Sequence, residues 1–316
     1  MTDVVVQLVL DELVIAGKAP PERFQRLLKL MSSFQRRQVM LATVRIITNK
    51  HLSAVIPSAE ATTARTDIGA SAALLRCVLA DEMTMTDLTN FLCSTPCDIS
   101  LTRVAIAALP LAHVDKLLQR IWEQFGDKLH IQHDPILLQE SNARLLLLSA
   151  GYIHRAEPMS VFMHARSSMH SNAITNRLGS SSPRVRMLGM FVGTAISQLV
   201  DKDKSARMDF ELEGADAEEV EEWKKLVYVE DKPSSVSELR RSRSEKQENI
   251  ITVKLRKALP IKSLPTQAKK PMIVEVLDDE DDDDDDLVPY AKPDSDQEDE
   301  DEDATLVQRN KPKAPV

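Results

Sequence analysis

The chain has few of the residues that build β-sheets, tight turns and phosphate-binding loops. Aromatic residues make up 4% of its 316 residues, and only eight residues are glycine. Scarce aromatics disfavour β-strands, whereas the plentiful leucine, alanine, methionine, arginine and glutamate favour helices. The composition therefore predicts an all-α protein, and the 43% hydrophobic content is enough for a sizeable core.

Cysteine is also scarce, and the motifs of common catalytic sites are missing. Cys77, Cys93 and Cys97 have neither metal-knuckle nor redox spacing, so we interpret them as structural thiols in a reducing compartment. There is no GxSxG turn, no HExxH motif and no glycine-rich phosphate loop. The nearest metal candidate, His130-x-x-His133, has no acidic or cysteine partner at ligand spacing. We therefore predict a protein that is not an enzyme and has no metal and no cofactor.

A membrane-spanning segment is not expected. The apolar stretch Val4–Ile15 is too short to cross a bilayer and is interrupted by Asp11 and Glu12. No charged-then-apolar signal with a cleavage site follows Met1. We expect a soluble intracellular protein.

Apolar residues recur every three or four positions through most of residues 4–200, which indicates about ten helices and no strand. The clearest helices are predicted over Leu111–Phe125, over Ile136–Ala150 with Gly151 beyond its end, and after Ser182-Pro183. We therefore predict that residues 1–205 form stacked helix pairs, a HEAT-like α-solenoid. Candidate helix starts about one solenoid repeat apart are Ser33, Thr66, Ser100 and Asp134.

The pair Gly189-x-x-x-Gly193 lies in the last of these helices. Two small residues one turn apart allow another helix to approach closely. Tight packing within this chain is the interpretation that we favour.

After Val200 the character of the chain changes. Residues 206–232 are predicted to contain a short docked helix, because Val220, Trp223 and Val227 have helical spacing. Residues 233–274 form a basic, serine-rich linker and residues 275–316 an acidic linker, both expected to be disordered. The net charge of −9 combines −17 between Glu275 and Asp303 with about +8 elsewhere.

The basic linker has three open interpretations. Between Leu239 and Lys270 there are ten basic and two acidic residues. They form a nuclear-import signal, a nucleic-acid patch or only a solvated tether, although interleaved aromatics for base stacking are lacking. The densest basic cluster consists of Arg240, Arg241 and Arg243.

The acidic linker contains six consecutive aspartates, Asp281–Asp286, and a serine in an acidic setting. Acidic residues follow Ser295 at the positions that an acidophilic kinase of the casein kinase 2 type selects. A phosphate on Ser295 would add about two negative charges for a Lys/Arg cluster on a partner. An unmodified, solubilising spacer is the alternative. The candidate phospho-dependent binding residues are Asp294, Ser295, Asp296 and Glu298.

Three segments of the chain resemble the telomere-length-regulation protein family, in its fungal form. They are Leu146–Arg155, Asn176–Ser197 and Asp284–Tyr290, and their order matches the family over roughly residues 137–316. The third segment carries the family's acidic linker motif, here Leu287, Val288, Pro289 and Tyr290.

The resemblance implies a non-enzymatic α-solenoid scaffold of the Triple-T co-chaperone complex, which has two other helical-repeat subunits. Such scaffolds deliver phosphatidylinositol-3-kinase-related kinases (the TOR, ATM and ATR class) to the heat-shock-90 chaperone. They thereby support telomere maintenance, the DNA damage response and TOR signalling. A phosphorylated Asp-Ser-Asp motif in the linker docks the PIH subunit of the R2TP adaptor. Asp294–Asp296 matches that motif, with Gln297 where an acidic residue is usual.

In the family, a C-terminal helical domain that holds the Triple-T partners follows the acidic linker. The chain ends at Val316, where that domain would begin, so we expect it to be missing here. The resemblance also implies a location in the cytoplasm and nucleus. The rival interpretation is a telomeric or chromatin-associated protein that binds nucleic acid through Arg240–Lys270.

Overall fold

A computed structural model describes residues 2–240 apart from 19, 53–61, 202, 204, 206, 209 and 211–216. In this part of the chain the secondary structure is helical, without a strand, which confirms the all-α prediction. The α-helices are α1 (Thr2–Val9), α2 (Pro21–Leu30), α3 (Ser33–Ile46), α4 (Thr62–Val78), α5 (Glu82–Ser94), α6 (Ile99–Ala108), α7 (Leu111–Gly126), α8 (Lys128–His133), α9 (Ile136–Ala156), α10 (Pro158–Ala165), α11 (Ser168–Leu178), α12 (Pro183–Val200) and α13 (Ala217–Lys225).

Three predicted helix starts are wrong by a few residues. Helix α3 is capped by Ser32, whose hydroxyl accepts a hydrogen bond from the Gln35 N–H at 3.3 Å, while the Gln35 side chain accepts one from the Ser32 N–H at 3.0 Å. This reciprocal capping box satisfies two N–H groups at the helix start. Helix α6 begins after Asp98, so Ser100 lies buried inside its first turn. Helix α4 begins at Thr62 instead of Thr66.

The predicted end of α9 is also wrong. The helix continues through Gly151 to Ala156, so Gly151 does not cap it. The nearest described atom to a Cβ placed on Gly151 would be the Val227 carbonyl oxygen, at 2.1 Å. The glycine therefore allows a close approach of the chain and does not end the helix.

The helices pack in two series that alternate along the chain. Each helix in the first series contacts the next one but one, from α1 through α3, α5 and α7 to α9. The second series joins α2 to α4, α4 to α6 and α6 to α9. Helix α11 then packs on α7 and α12, and α12 packs on α9. The apolar core lies between these helices, and Trp122, Phe125 and Phe191 are among its largest side chains.

Gly189 and Gly193 both face other parts of the chain. A Cβ on Gly189 would lie 2.9 Å from Cβ of Arg177, and one on Gly193 would lie 3.1 Å from Cε2 of Phe210. Both distances are at or below ordinary contact, so neither glycine faces open solvent. Tight packing within the chain, the interpretation favoured from the sequence, is confirmed.

The His170 side chain is buried between α11 and α7. The Trp122 Nε1–H donates a hydrogen bond to Nδ1 of His170 at 3.2 Å, and the two rings meet edge to face at 5.3 Å. Burial lowers the pKa of His170 to about 4. The hydrogen bond from Trp122 also requires an unprotonated Nδ1, so burial and geometry both favour the neutral imidazole.

His170 should make the folded body less stable in mild acid. An unfolded histidine takes up a proton as the pH falls below about 6.5, whereas the folded one stays neutral down to about 4. Protons therefore favour the unfolded chain, and the stabilisation from His170 is lost progressively between these two pH values. Between pH 7 and pH 5, His170 should account for about 2 kcal/mol of the decrease in the unfolding free energy.

Urea unfolding at pH 7 and pH 5 measures this loss. In His170→Phe the unfolding free energy should decrease by about 2 kcal/mol less between pH 7 and pH 5 than in the natural chain, because phenylalanine cannot take up a proton. The exposed His133 provides the control His133→Phe, which should leave the pH dependence as in the natural chain. An identical pH dependence in His170→Phe and the natural chain would contradict the assignment.

Candidate interaction site

The segment that follows α12 returns over the helical body before the chain enters the basic linker. We call residues 217–239 the strap; it consists of α13, a 3₁₀ turn over Leu226–Tyr228 and the residues that follow. The helix predicted around Trp223 is present. Residues 233–239 were assigned to the linker from the sequence, but they contact the body, and the Ser234 N–H donates to the Gly69 carbonyl oxygen at 3.0 Å. Buried side chains of the strap are Trp223, Leu226, Val227, Val229, Asp231 and Leu239.

Trp223 holds the first part of the strap against α12 and α9. Its ring stacks on Phe191 with centroids 5.3 Å apart and an angle of 16° between the ring planes. The Arg144 guanidinium lies 5.3 Å from the Trp223 ring centroid, within the range of a cation–π contact. Arg184 adds ion pairs to Glu140 at 2.6 Å and Glu219 at 2.7 Å, which join α9, α12 and α13.

A buried ion pair holds the middle of the strap to α6. The Arg103 guanidinium donates from Nε to Oδ2 of Asp231 and from Nη2 to Oδ1, both at 2.8 Å. The two side chains are 1% and 0% exposed. This two-point geometry gives strong, directional hydrogen bonds. Both charges are buried, and removing either one would leave an opposite charge away from water, which is costly.

Helix α9 binds the strap through its backbone. The Tyr152 hydroxyl donates to the Asp231 carbonyl oxygen at 2.9 Å and accepts from the Asp231 N–H at 2.8 Å. Arg155 donates to the carbonyl oxygens of Val227 at 3.2 Å and Val229 at 2.7 Å. Burial, and next the negative charge of Asp231, raise the pKa of Tyr152, which keeps the hydroxyl proton available for donation. The body therefore binds the strap both through the Asp231 side chain and through the strap's backbone groups.

Sequence reasoning missed Arg103, Tyr152 and Asp231. A signal for Arg103 existed, since it is the only charged residue in the ten residues of α6. A lone charge on an apolar helix indicates a buried partner. That partner lies 128 positions away, and residue spacing cannot identify it.

The site residues predicted from the sequence lie almost entirely beyond the described part of the chain. Arg240 is described and exposed, immediately after the strap. The others lie outside the described residues: Arg241, Arg243, Leu287, Val288, Pro289, Tyr290, Asp294, Ser295, Asp296 and Glu298.

The histidine and cysteine candidates have structural surroundings. His130 is buried and contacts the Asp134 carboxylate through Nδ1, so the prediction that the pair has no acidic partner at ligand spacing is wrong. His133 is exposed. Among the described residues, no three His, Cys, Asp or Glu side chains lie close enough together to hold a metal ion.

All three cysteines are buried free thiols. Burial raises the pKa of Cys93 to about 11 and that of Cys97 to about 12, and it also raises the pKa of Cys77. A thiol with a raised pKa is a poor nucleophile at neutral pH. These surroundings fit structural thiols.

Among the helices of the described residues, none combines the length and the apolar character that crossing a bilayer requires. Comparison of the chain with family models, with curated proteins and with solved structures finds no match.

Proposed function

We propose that the chain is a non-enzymatic scaffold that resembles the telomere-length-regulation proteins and supports the maturation of phosphatidylinositol-3-kinase-related kinases. The structural observation behind the proposal is the strap, which the buried Arg103–Asp231 pair ties to the body. The chain continues from the strap into the basic linker and then the acidic run. A binding motif in that run would therefore be tethered to a folded body at a defined point.

The folded body would provide the second binding surface. From α1 to α7 each helix contacts the next helix but one on either side; such contacts are typical of stacked helix pairs, and we propose a HEAT-like α-solenoid on that basis. Such stacks bury a continuous core and leave long helical faces for large partners. We expect these helical faces to bind the kinases of the TOR, ATM and ATR class and the two other Triple-T subunits.

The tethered motif would recruit the chaperone system. In this proposal a casein kinase 2-type enzyme phosphorylates Ser295, and the PIH subunit of the R2TP adaptor then binds it and brings the heat-shock-90 chaperone. A kinase and an adaptor held by one chain meet at a high effective concentration without a new contact between them. The proposed locations are the cytoplasm and the nucleus.

Phosphorylation of Ser295 should control adaptor binding. A peptide of residues 287–303 phosphorylated on Ser295 should bind the PIH subunit at least about tenfold more tightly than the same peptide without phosphate, because a hydrogen bond to a charged group contributes about 1.5–3 kcal/mol. Isothermal titration calorimetry on both peptides measures the difference. A phosphorylated control peptide with Asp296→Asn and Glu298→Gln separates the contribution of these two acidic residues to the affinity from the contribution of the phosphate. Equal affinity of the two natural-sequence peptides would rule out phosphate-dependent docking.

Nucleic-acid binding is the second candidate function, favoured by the ten basic residues between Leu239 and Lys270. Affinity for duplex DNA would then fall steeply with rising salt, since each neutralised phosphate releases counterions. Replacing Arg240, Arg241 and Arg243 by alanine would reduce both the affinity and its salt dependence. Contacts of the helical body with a kinase should respond less to salt and should tolerate those substitutions.

A further inference from the structure

The end of the strap lies along one face of α4. The Ser234 N–H donates to the Gly69 carbonyl oxygen at 3.0 Å, and a Cβ on Gly69 would approach the strap's backbone to 2.7 Å. Gly69, Ala73 and Arg76 share this face, because residues four and seven positions apart lie on one side of a helix. Ala73, Arg76 and strap residues 233–237 line one groove of about 610 Å³. The strap therefore extends from Gly69 toward the end of α4 that carries Arg76.

Arg76 provides the groove with a positive charge. Its side chain is exposed, and it forms no ion pair with a described residue. Burial raises the pKa of the adjacent Cys77; the charge of Glu22 raises this pKa further, and that of Arg76 lowers it. Glu22 thus lies in the same region without pairing with Arg76. The Arg76 guanidinium is available to an anion that enters the groove.

Ser235 is the residue of this part of the strap that best matches a kinase site. It is exposed and lies before the helical turn that begins at Ser237. Glu238 is the third residue after it, a position at which acidophilic kinases of the casein kinase 2 type select an acidic residue. Ser234 has serine at that position, and Ser237 has the basic Arg240 there. The sequence around the groove therefore favours Ser235 over its two neighbours.

We propose that Ser235 is a phosphorylation site and that its phosphate binds Arg76. An acidophilic kinase transfers the γ-phosphoryl group of ATP to the hydroxyl of Ser235. The bond from Oγ to phosphorus forms, the bond from that phosphorus to the bridging oxygen of ADP breaks, and the hydroxyl proton is released. The phosphate brings about two negative charges and three acceptor oxygens, and the planar arginine fork binds two of these oxygens at once.

The charges around Ser235 favour Arg76 as the partner of the phosphate. Lys232 already pairs with Glu230 at 2.7 Å, whereas Arg76 gains its first acidic partner among the described residues. The Glu238 carboxylate, which accepts a hydrogen bond from Ser234 Oγ at 2.5 Å, repels the phosphate and so favours its turning toward the groove. Salt weakens such a partly exposed contact.

The contact fastens the end of the strap to α4. In the unmodified chain the Ser234 N–H bond to Gly69 and the buried Leu239 hold this end, and the Arg103–Asp231 pair lies just before it. The phosphate adds an attachment close to the residue from which the chain enters the basic linker. This effect stays within the folded body and does not depend on the adaptor docking proposed for Ser295.

Hydrogen–deuterium exchange of the full chain, with phosphoserine incorporated at position 235 during translation, tests the contact. Site-specific incorporation leaves every other serine unmodified. The phosphate should slow the amide exchange of residues 230–240 about fivefold, because an added ion pair makes local opening of the strap rarer by about that factor. In Arg76→Ala the phosphate should not slow the exchange. Arg76→Lys should keep part of the effect, since lysine retains the charge but lacks the planar fork.

Arg23→Ala is the matched control. Arg23 is exposed on α2 and does not line the groove, so the phosphate should slow exchange in this variant as it does in the natural chain. Phosphorylated and unphosphorylated protein are compared within each variant. This comparison removes the effect of the substitution on stability and the effect of the phosphate on the intrinsic exchange rate.

Incubation of the full chain with ATP and a casein kinase 2-type enzyme tests the modification itself. Mass spectrometry should locate phosphate on Ser235. Glu238→Gln should remove most of this phosphate, because it neutralises the acidic side chain that the kinase selects, and it should leave the phosphorylation of other serines unchanged.

Three outcomes would overturn the proposal. The first is exchange that the phosphate leaves unchanged or accelerates in the natural chain, which would mean that it does not fasten the strap. The second is equal slowing in the natural chain and in Arg76→Ala, which would assign the phosphate to another partner. The third is the absence of phosphate on Ser235 after incubation with the kinase.

Discussion

Replacement of Asp231 by alanine is expected to destabilise the folded body by about 3–5 kcal/mol, because Arg103 would stay buried without its counter-charge. The expected loss is large since both side chains are almost fully excluded from water. The carboxylate also accepts two hydrogen bonds from Arg103 that no water could readily replace. Guanidinium chloride unfolding followed by circular dichroism measures the change.

A double replacement separates the value of the pair from the cost of an unpaired charge. Arg103→Met with Asp231→Leu should recover most of the stability lost in Asp231→Ala, because apolar residues of similar volume often replace a buried ion pair without loss. The exposed pair of Lys116 with Glu82 is the matched control, and Glu82→Ala should destabilise the fold much less than Asp231→Ala does. Equal effects of Asp231→Ala and Glu82→Ala would show that Asp231 does not neutralise a buried charge.

Replacement of Gly151 by alanine is expected to cost about 3 kcal/mol and to loosen the strap. The direction of this change in stability is informative, because replacing a glycine by alanine inside a helix normally stabilises the helix by up to about 1 kcal/mol. Here the added Cβ would lie 2.1 Å from the Val227 carbonyl oxygen, which is backbone and cannot rotate away. Either α9 or the strap must move. Displacement of the strap would expose its backbone, so limited proteolysis should cut residues 217–240 sooner than in the natural chain.

Gly179 supplies the control for this substitution. Its backbone is right-handed, with φ of −77°, and a Cβ there would come no closer than 3.5 Å to its nearest described neighbour. Gly179→Ala should therefore leave the stability unchanged or raise it slightly. If Gly151→Ala gave the same melting temperature and the same digestion pattern as Gly179→Ala, the close approach of the strap to α9 would be refuted.

Much of the helical secondary structure was predictable from the order of residues. Helices α7 and α12 follow an apolar spacing of three and four residues, which is a local property of one segment. The residues around Ser295 are likewise a local pattern, readable without any fold. Boundaries were less predictable, as at Ser32 and Asp98, because several polar residues near each helix start could serve as caps.

The attachment of the strap to the helical body depended on the tertiary structure. Sequence alone determined that the chain is helical, that its charge is divided between a basic and an acidic part, and that Ser295 lies in an acidic setting. The pairing of Arg103 with Asp231 and the contact of Gly151 with Val227 join segments far apart in the chain. Such contacts follow from how whole helices pack, and a periodic pattern within one helix contains no information about its partner across the core.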